Sequence, residues 1–203
     1  IPEYQPADRV RTNIDAFLVK KLKEQGFAFS PEADKLTLIK RATFDLTGLP
    51  PTREEIQTFL ADQADDAYER MVDRLLASPR YGERWGRHWL DVAGYADSNG
   101  YTSDDAVRPW AYKYRDYVIR AFNADKPFDQ FLSEQLAGDE LLHEKQANFT
   151  PQELETLVAT GYLRMAADGT AGGVDQEVAR NQVVADTLKI VSTSLLGLSV
   201  GCA

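Results

Sequence analysis

Helix start signals recur along this sequence and constrain its fold more than any other feature. Thr52 is followed three positions later by Glu55, and Thr150 is followed in the same way by Glu153. In this pattern the threonine hydroxyl accepts a hydrogen bond from the third helical amide, and the glutamate reaches back to the threonine amide. Ser78-Pro79 fits the cap and the first position of another helix. These signals predict short helices joined by short loops.

Hydrophobic residues between these signals follow the three-to-four-residue period of a helix, and Gly26 and Pro50-Pro51 supply stops. No pair of segments carries a hairpin signal, and no internal repeat is present. We therefore expect an all-α fold. It would be a single irregular multi-helix domain over residues 1–203, with about eight or nine helices and long polar loops.

The helix predicted from Arg80 to about Ala96 carries two stripes of side chains. Positions three or four apart lie on one face of a helix. The stripe expected to pack inward consists of Trp85, Trp89, Val92 and Ala96. The polar stripe beside it consists of Arg84, His88, Asp91 and Tyr95.

The polar stripe predicts a hydrogen-bonded row with catalytic capacity. In such a row Asp91 would fix the tautomer of His88, and Arg84 would stabilise the charged carboxylate. The row suits acid–base chemistry or the wall of a redox site. The alternative is a polar network that only ties this helix to its neighbours, because buried polar groups need partners in either case.

Two later helices have predicted inward faces. The helix that follows Pro109 would turn these residues to the core: Trp110, Tyr114, Tyr117, Val118 and Phe122. The last helix would begin at Val174 or Asp175 and turn these residues inward: Val178, Val184, Leu188, Val191, Leu195 and Leu198.

The charge balance excludes some classes of partner. The formal net charge is -9. Nucleic acids and anionic membrane surfaces are bound by clustered Lys and Arg, so this composition disfavours both. No run of about 18 apolar residues is present to span a bilayer. We therefore expect no nucleic-acid partner and no membrane insertion in this segment.

A loop rich in oxygen ligands follows the two-stripe helix. Asp97, Asn99 and Asp104 lie within eight positions of one another, and a hard cation such as Ca²⁺ prefers ligands of this kind. The spacing is not that of an EF-hand. Asx turns explain the same composition without any metal, so both interpretations stay open.

The only cysteine, Cys202, stands at the end of an apolar helical stretch over residues 186–203. Gly201-Cys202-Ala203 matches the opening of Cys-x-x-Cys-His, the attachment sequence of haem c. On this interpretation the second cysteine and the histidine would follow Ala203, and the chain would be a piece of a larger exported multidomain protein. The alternative is a buried thiol.

Several strings together resemble one known family, the planctomycete cytochrome-associated family catalogued as domain of unknown function 1549. Together these strings span most of the chain. They include Phe44-Asp-Leu-Thr-Gly-Leu-Pro-Pro-Thr, Leu75-Leu-Ala-Ser-Pro-Arg-Tyr-Gly-Glu-Arg-Trp, Tyr95-Ala-Asp-Ser-Asn-Gly-Tyr, Glu134-Gln-Leu-Ala-Gly-Asp and Leu196-Gly-Leu-Ser-Val-Gly-Cys-Ala. The chain departs from the family pattern at Gly94, where an arginine is usual.

The resemblance implies that Cys202 is the first thioether cysteine of a haem c site, and that the protein works outside the cytoplasm, in the periplasm or secreted. Our first functional hypothesis is therefore a helical module of an exported c-type cytochrome-like protein. It would serve electron transfer or a redox step on an extracellular substrate, such as a carbohydrate. Its partners would be neighbouring domains of the same polypeptide and redox proteins.

Two alternatives belong to other classes. The first is a non-catalytic scaffold or glycan-binding module that uses Trp85, Trp89 or Trp110 as a sugar platform, although aromatic residues at helical spacing also suit a core. The second is a metal-dependent hydrolase built on Asp97, Asn99 and Asp104.

Overall fold

The computed structural model describes residues 1–100, 105–142, 148–169 and 175–200. Within these ranges the chain forms α-helices and short 3-10 turns and no β-strand, and the only strand-like pairing is a single bridge between Ser98 and Val107. The expected all-α fold is confirmed. No helix in the described ranges is long and apolar enough to cross a membrane.

The helices have the following bounds: α1 Asn13–Glu24, α2 Lys35–Thr47, α3 Arg53–Ala61, α4 Ala67–Leu76, α5 Pro79–Ala93, α6 Ala111–Asn123, α7 Phe128–Ala137, α8 Pro151–Ala159 and α9 Gln176–Leu196. The 3-10 turns are Pro6–Asp8, Glu140–Leu142 and Thr160–Arg164.

The predicted helix starts are present. Thr52 Oγ1 accepts from the Glu55 amide at 3.2 Å, and Glu55 Oε2 accepts from the Thr52 amide at 2.7 Å. Thr150 and Glu153 form the same reciprocal pair at the start of α8. Ser78 caps α5 with Pro79 at its first position. Local hydrogen bonding thus fixes where these helices begin.

The chain divides into two compact units, Ile1–Leu38 and Ile39–Ala203, and the division falls within α2. In the first unit, Arg9 donates to the carbonyl oxygens of Phe29 and Ser30 at 2.9 and 3.1 Å. These bonds connect the start of the unit to the segment after α1. The clefts and the interior network described below lie in the second unit.

The packing of α5 against α6 depends on glycine. A methyl group placed on Gly82 would lie 2.4 Å from the carbonyl oxygen of Ile119. The Gly82 amide donates to Asn123 Oδ1 at 2.7 Å, and Asn123 Nδ2 donates to the Pro79 carbonyl at 3.1 Å. The two backbones therefore approach more closely than any larger residue at position 82 allows.

The predicted inward stripe of α5 is wrong at two positions. Trp85 is 37% exposed and Val92 is 51% exposed. The buried face of α5 consists instead of Gly82, Gly86, Leu90 and Ala93. Hydrophobicity alone misassigns this face, because a close helix crossing selects small residues rather than large apolar ones.

A polar network lies inside the cluster of buried residues formed by α5, α6 and α7. Trp89 Nε1 donates to Gln135 Oε1 at 2.9 Å, and the Tyr114 hydroxyl donates to the same oxygen at 2.5 Å. Beside it, Glu134 accepts from the Tyr117 hydroxyl at 2.8 Å and pairs with Lys126. The buried polar groups of this network are hydrogen-bonded, as a stable interior requires.

The inward faces predicted for the helix after Pro109 and for the last helix are only partly right. Tyr114, Tyr117 and Val118 are buried on α6, but Trp110 is exposed just before that helix begins. These core residues predicted for the last helix are exposed: Val178, Val184 and Leu188 on α9, and Leu198 after the end of α9. Apolar residues lie all around α9, so its periodicity does not define one inward face.

Candidate functional site

The four residues of the predicted catalytic row have separate neighbours. His88 is exposed on α5, and its ring lies edge-on to Trp85 with centroids 5.5 Å apart. Asp91 faces Arg87 at 3.9 Å. The guanidinium of Arg84 lies 6.0 Å from the centre of the Phe44 ring.

Tyr95 also turns away from the row, because α5 ends at Ala93 and Gly94 adopts a left-handed conformation with φ 72°. The Tyr95 hydroxyl donates to Asp97 Oδ1 at 2.6 Å. Burial, together with this hydrogen bond to a carboxylate, raises the pKa of Tyr95 to about 12.

Across the described ranges, no hydrogen bond joins Arg84, His88, Asp91 and Tyr95 to one another. The expected hydrogen-bonded row is therefore wrong as a geometric arrangement. The physical reason is that α5 ends before Tyr95 and turns His88 and Asp91 to solvent. A catalytic role for any one of these residues stays a prediction.

The two described residues of the predicted metal site, Asp97 and Asn99, each accept a hydrogen bond from the protein itself. Asp97 accepts from Tyr95, and Asn99 Oδ1 accepts from Arg108 Nε at 2.9 Å. Asp105 accepts from Ser98 Oγ at 2.6 Å. Asp104 lies outside the described residues. Within the described ranges no group of three His, Cys, Asp or Glu is placed to hold a metal ion, and the calcium site stays a prediction.

Arg108 holds this loop against the segment that follows the last 3-10 turn. Its Nη2 donates to the Ala166 carbonyl at 2.7 Å, and its Nε contacts Asn99 as described above. Backbone bonds reinforce the arrangement: the Arg108 amide donates to the Asp97 carbonyl at 2.7 Å, and the Asp168 amide donates to the Asn99 carbonyl at 3.1 Å. A single guanidinium therefore crosslinks two segments far apart in sequence.

A cleft of about 630 Å³ opens beside this crosslink. Its walls come from the loop before α6, the first turns of α6, the end of α8 and the Thr160–Arg164 turn. Trp110 lies at the cleft and is 66% exposed. Lys113 Nζ lies 4.9 Å from the centre of the Trp110 ring, which is a cation–π contact.

The cleft is basic although the chain as a whole is acidic. Its lining holds three cationic side chains, Arg108, Lys113 and Arg164, and one carboxylate, Asp168. Arg164 Nη2 pairs with Asp168 Oδ2 at 2.8 Å. Within the described ranges no carboxylate oxygen lies within 4.0 Å of the charged nitrogens of Arg108 or Lys113.

A second cleft, of about 340 Å³ between α3 and α4, differs in this respect. Its arginines are already paired with carboxylates: Arg70 with Asp62 at 2.6 Å, and Arg74 with Glu55. Its cations are thus compensated within the protein, which makes it the weaker candidate for a ligand site.

Sequence reasoning missed most of the cleft beside Trp110. Arg108 and Arg164 belong to no recognisable motif. They line the same cleft only because Arg108 contacts a segment that is far away in sequence. Trp110 was predicted to be a core residue. Its position directly after Pro109, before the first helical turn is formed, is the signal that places it outside the core.

The structure thus defines an all-α domain with a basic, aromatic-lined cleft on its larger unit. Comparison with known proteins then supplies the family. The chain belongs to the family described as PSCyt2, Protein of unknown function (DUF1549), whose sequence model matches residues 13–203. No curated protein and no solved structure matches the chain.

Haem c attachment needs two cysteine thiols and a histidine ligand. The sequence has one cysteine, Cys202, which lies outside the described residues. The histidine that the structure describes, His88, is exposed beside Trp85; His143 lies outside the described residues. The residues of this chain therefore do not make up a complete haem c site by themselves.

Proposed function

We propose that this domain is a carbohydrate-binding module that uses the cleft beside Trp110. The observation that carries the proposal is the exposed Trp110 ring at the edge of a cleft with cationic donors. The faces of sugar rings present C–H groups that stack on aromatic surfaces, and their hydroxyl groups accept and donate hydrogen bonds. Binding sites commonly combine an apolar surface with a few polar groups that set orientation.

The three tryptophans differ in how available they are. Trp89 is partly buried and packs against the core, since its indole N–H is hydrogen-bonded and its ring contacts Phe131 with centroids 5.0 Å apart. Trp85 lies between Tyr81 and His88 on the surface of α5. Only Trp110 lines the cleft. Of the three sugar platforms considered from sequence, Trp110 is therefore the one we propose.

Isothermal titration of the domain with cellohexaose, mannohexaose and hexagalacturonate tests this function. We expect saturable binding of at least one of them. Trp110→Ala should weaken it at least about fivefold, because stacking of a ring on an aromatic side chain contributes on the order of 1–3 kcal/mol. Trp85→Ala is the matched control and should leave affinity unchanged. No binding of any hexasaccharide at about 10 mM, which corresponds to roughly 3 kcal/mol of binding free energy, would contradict the proposal.

A second candidate function is covalent attachment of haem c through Cys202, in an exported redox protein. Its support is the sequence Gly201-Cys202-Ala203 together with the family strings quoted above. Such a protein would mature outside the cytoplasm, where the domain would present a substrate near the redox group. The haem would supply one-electron transfer, and this chain would contribute one thioether sulfur.

Expression of the intact gene product with a haem c maturation system tests the second candidate. The denatured protein should keep haem on a gel and show the absorption bands of a thioether-linked haem. Cys202→Ala should remove at least one of the two thioether bonds and shift those bands. A colourless mature protein would contradict attachment without affecting the carbohydrate proposal.

A further inference from the structure

The cleft beside Trp110 has a charge opposite to that of the molecule that carries it. The chain has a formal net charge of -9, yet the cleft lining holds more cations than carboxylates. A cleft in which one sign of charge predominates raises the local concentration of ligands of the opposite charge. This local reversal of charge requires its own explanation.

Two of the cations, Arg108 and Lys113, form no ion pair within 4.0 Å among the described residues. Arg108 is bonded to the side-chain amide of Asn99 and to the Ala166 carbonyl, which are neutral acceptors. Lys113 lies over the Trp110 ring rather than beside a carboxylate. Burial, together with the neighbouring charge of Arg164, lowers the pKa of the Arg108 guanidinium, and the carboxylates of Asp168 and Asp105 only partly oppose this effect. An anion in the cleft would relieve that cost.

The arrangement also fixes where a negative charge would lie. Arg108 is half-buried and held by two loops, so its position is set before a ligand arrives. Lys113 projects from the first turn of α6 next to the exposed ring. A sugar ring seated against Trp110 would thus have its acidic substituent close to Lys113 and to the preorganised Arg108, and opposite charges at short range attract each other.

We infer that the cleft selects acidic sugars, in which a ring carries a carboxylate, over neutral sugars of the same shape. The inference rests on the proposed carbohydrate-binding function and adds the charge of the ligand. Arg108 and Lys113 would contact the carboxylate, while Trp110 would stack on the ring.

Titration with hexagalacturonate and with its fully methyl-esterified form tests the inference, because esterification removes the charge and adds only one methyl group to each sugar residue. We expect the acid to bind at least fivefold tighter at low salt, and the preference to shrink at about 1 M salt, where charges are screened within about 3 Å. Lys113→Gln should weaken binding of the acid about fivefold and leave the ester within twofold. Lys189→Gln, an exposed lysine of α9 outside the cleft, is the control.

Succinate, an anion without a sugar ring, separates the possible failures. Equal affinity for the acid and the ester would overturn the inference and leave carbohydrate binding intact. Succinate binding as tight as that of the sugar acid would overturn carbohydrate recognition and retain the anion preference. Binding of none of the three probes would overturn both.

Discussion

The side chains of helix α6 and of the residue before it form two groups. The groups differ in whether their polar atoms already have partners within the protein. In the interior, Tyr114 and Tyr117 join a network in which donors and acceptors are paired. At the start of the same helix, Trp110 is exposed and Lys113 has no carboxylate partner within 4.0 Å among the described residues. The first group stabilises the fold, whereas the second group is still able to contact a ligand.

The difference shows why polar or aromatic composition is a poor guide to function in this chain. Trp89 and Trp110 are the same residue type, but Trp89 is hydrogen-bonded and packed against the core, whereas Trp110 lines a cleft. Whether a side chain already has its hydrogen-bond partners within the protein, rather than its residue type, distinguishes structural groups from candidate binding groups. The following predictions test each side of this comparison.

The largest effect is expected from breaking the interior ion pair. Lys126→Met would leave the Glu134 carboxylate, which is 3% exposed, without its cation. Removing one partner of a buried pair costs on the order of 3 kcal/mol. Urea unfolding should show this loss. Lys20→Met, at an exposed position of α1, should change the free energy of unfolding by less than about 0.5 kcal/mol, and equal effects would contradict the assignment.

The next effect concerns the glycine crossing of α5 and α6. Gly82→Ala places a methyl group against the Ile119 carbonyl. Alanine has the better helix propensity, but we expect the overpacking to outweigh it and to lower the free energy of unfolding by about 2 kcal/mol. Gly86→Ala is the matched control, since its nearest contact would be an ordinary 3.4 Å. Thermal unfolding should rank the two clearly. A Gly86 variant as unstable as the Gly82 variant would refute the crossing.

The same interior network predicts a dependence of stability on pH. Burial alone would raise the pKa of the Glu134 carboxyl, but hydrogen bonds from Lys126, Gln130 and Tyr117 outweigh burial and hold it below its usual value. A lowered pKa in the folded state contributes stability above the unfolded value, and that stability is lost as pH falls through the folded value.

Glu134→Gln should therefore flatten the fall in stability below about pH 4.5. Urea unfolding at pH 7, 4.5 and 3 measures this slope. Glu69→Gln, an exposed position of α4, is the control and should retain the wild-type slope. An unchanged slope in the Glu134 variant would show that this carboxylate does not couple folding to protons.

The smallest effect is expected from the crosslink beside the cleft. Arg108→Lys keeps the charge but cannot contact Asn99 and Ala166 with one planar group. The free energy of unfolding should fall by about 1 kcal/mol. Arg120→Lys, at an exposed pair with Glu155, should cost less than about 0.5 kcal/mol. Equal losses would show that Arg108 does not organise the loops.

Local sequence signals predicted much of the fold. The starts of α3, α5 and α8 follow from the side chains of Thr52, Ser78 and Thr150. Such caps are determined by residues a few positions apart, so they are readable from the sequence alone. The all-α class follows from these starts and from the helical period of the hydrophobic residues.

Tertiary packing explains the failures. The buried face of α5 contains Gly82 and Gly86, and their role depends on α6. The cleft depends on Arg108 reaching a segment 58 residues further along the chain. No local pattern encodes either of these contacts. For the same reason the predicted row of Arg84 and His88 did not form, since the end of α5 and the position of its neighbours determine where these side chains point.

Sugar binding at Trp110 is tested most directly by ¹⁵N-edited NMR, in which the indole N–H signals of the three tryptophans are followed during titration with hexagalacturonate. Substitution of each tryptophan by phenylalanine assigns the signals. We expect a saturable shift of the Trp110 signal and an unchanged Trp89 signal. A Trp110 signal that stays in place while the sugar binds, or a shift confined to Trp85, would contradict this expectation.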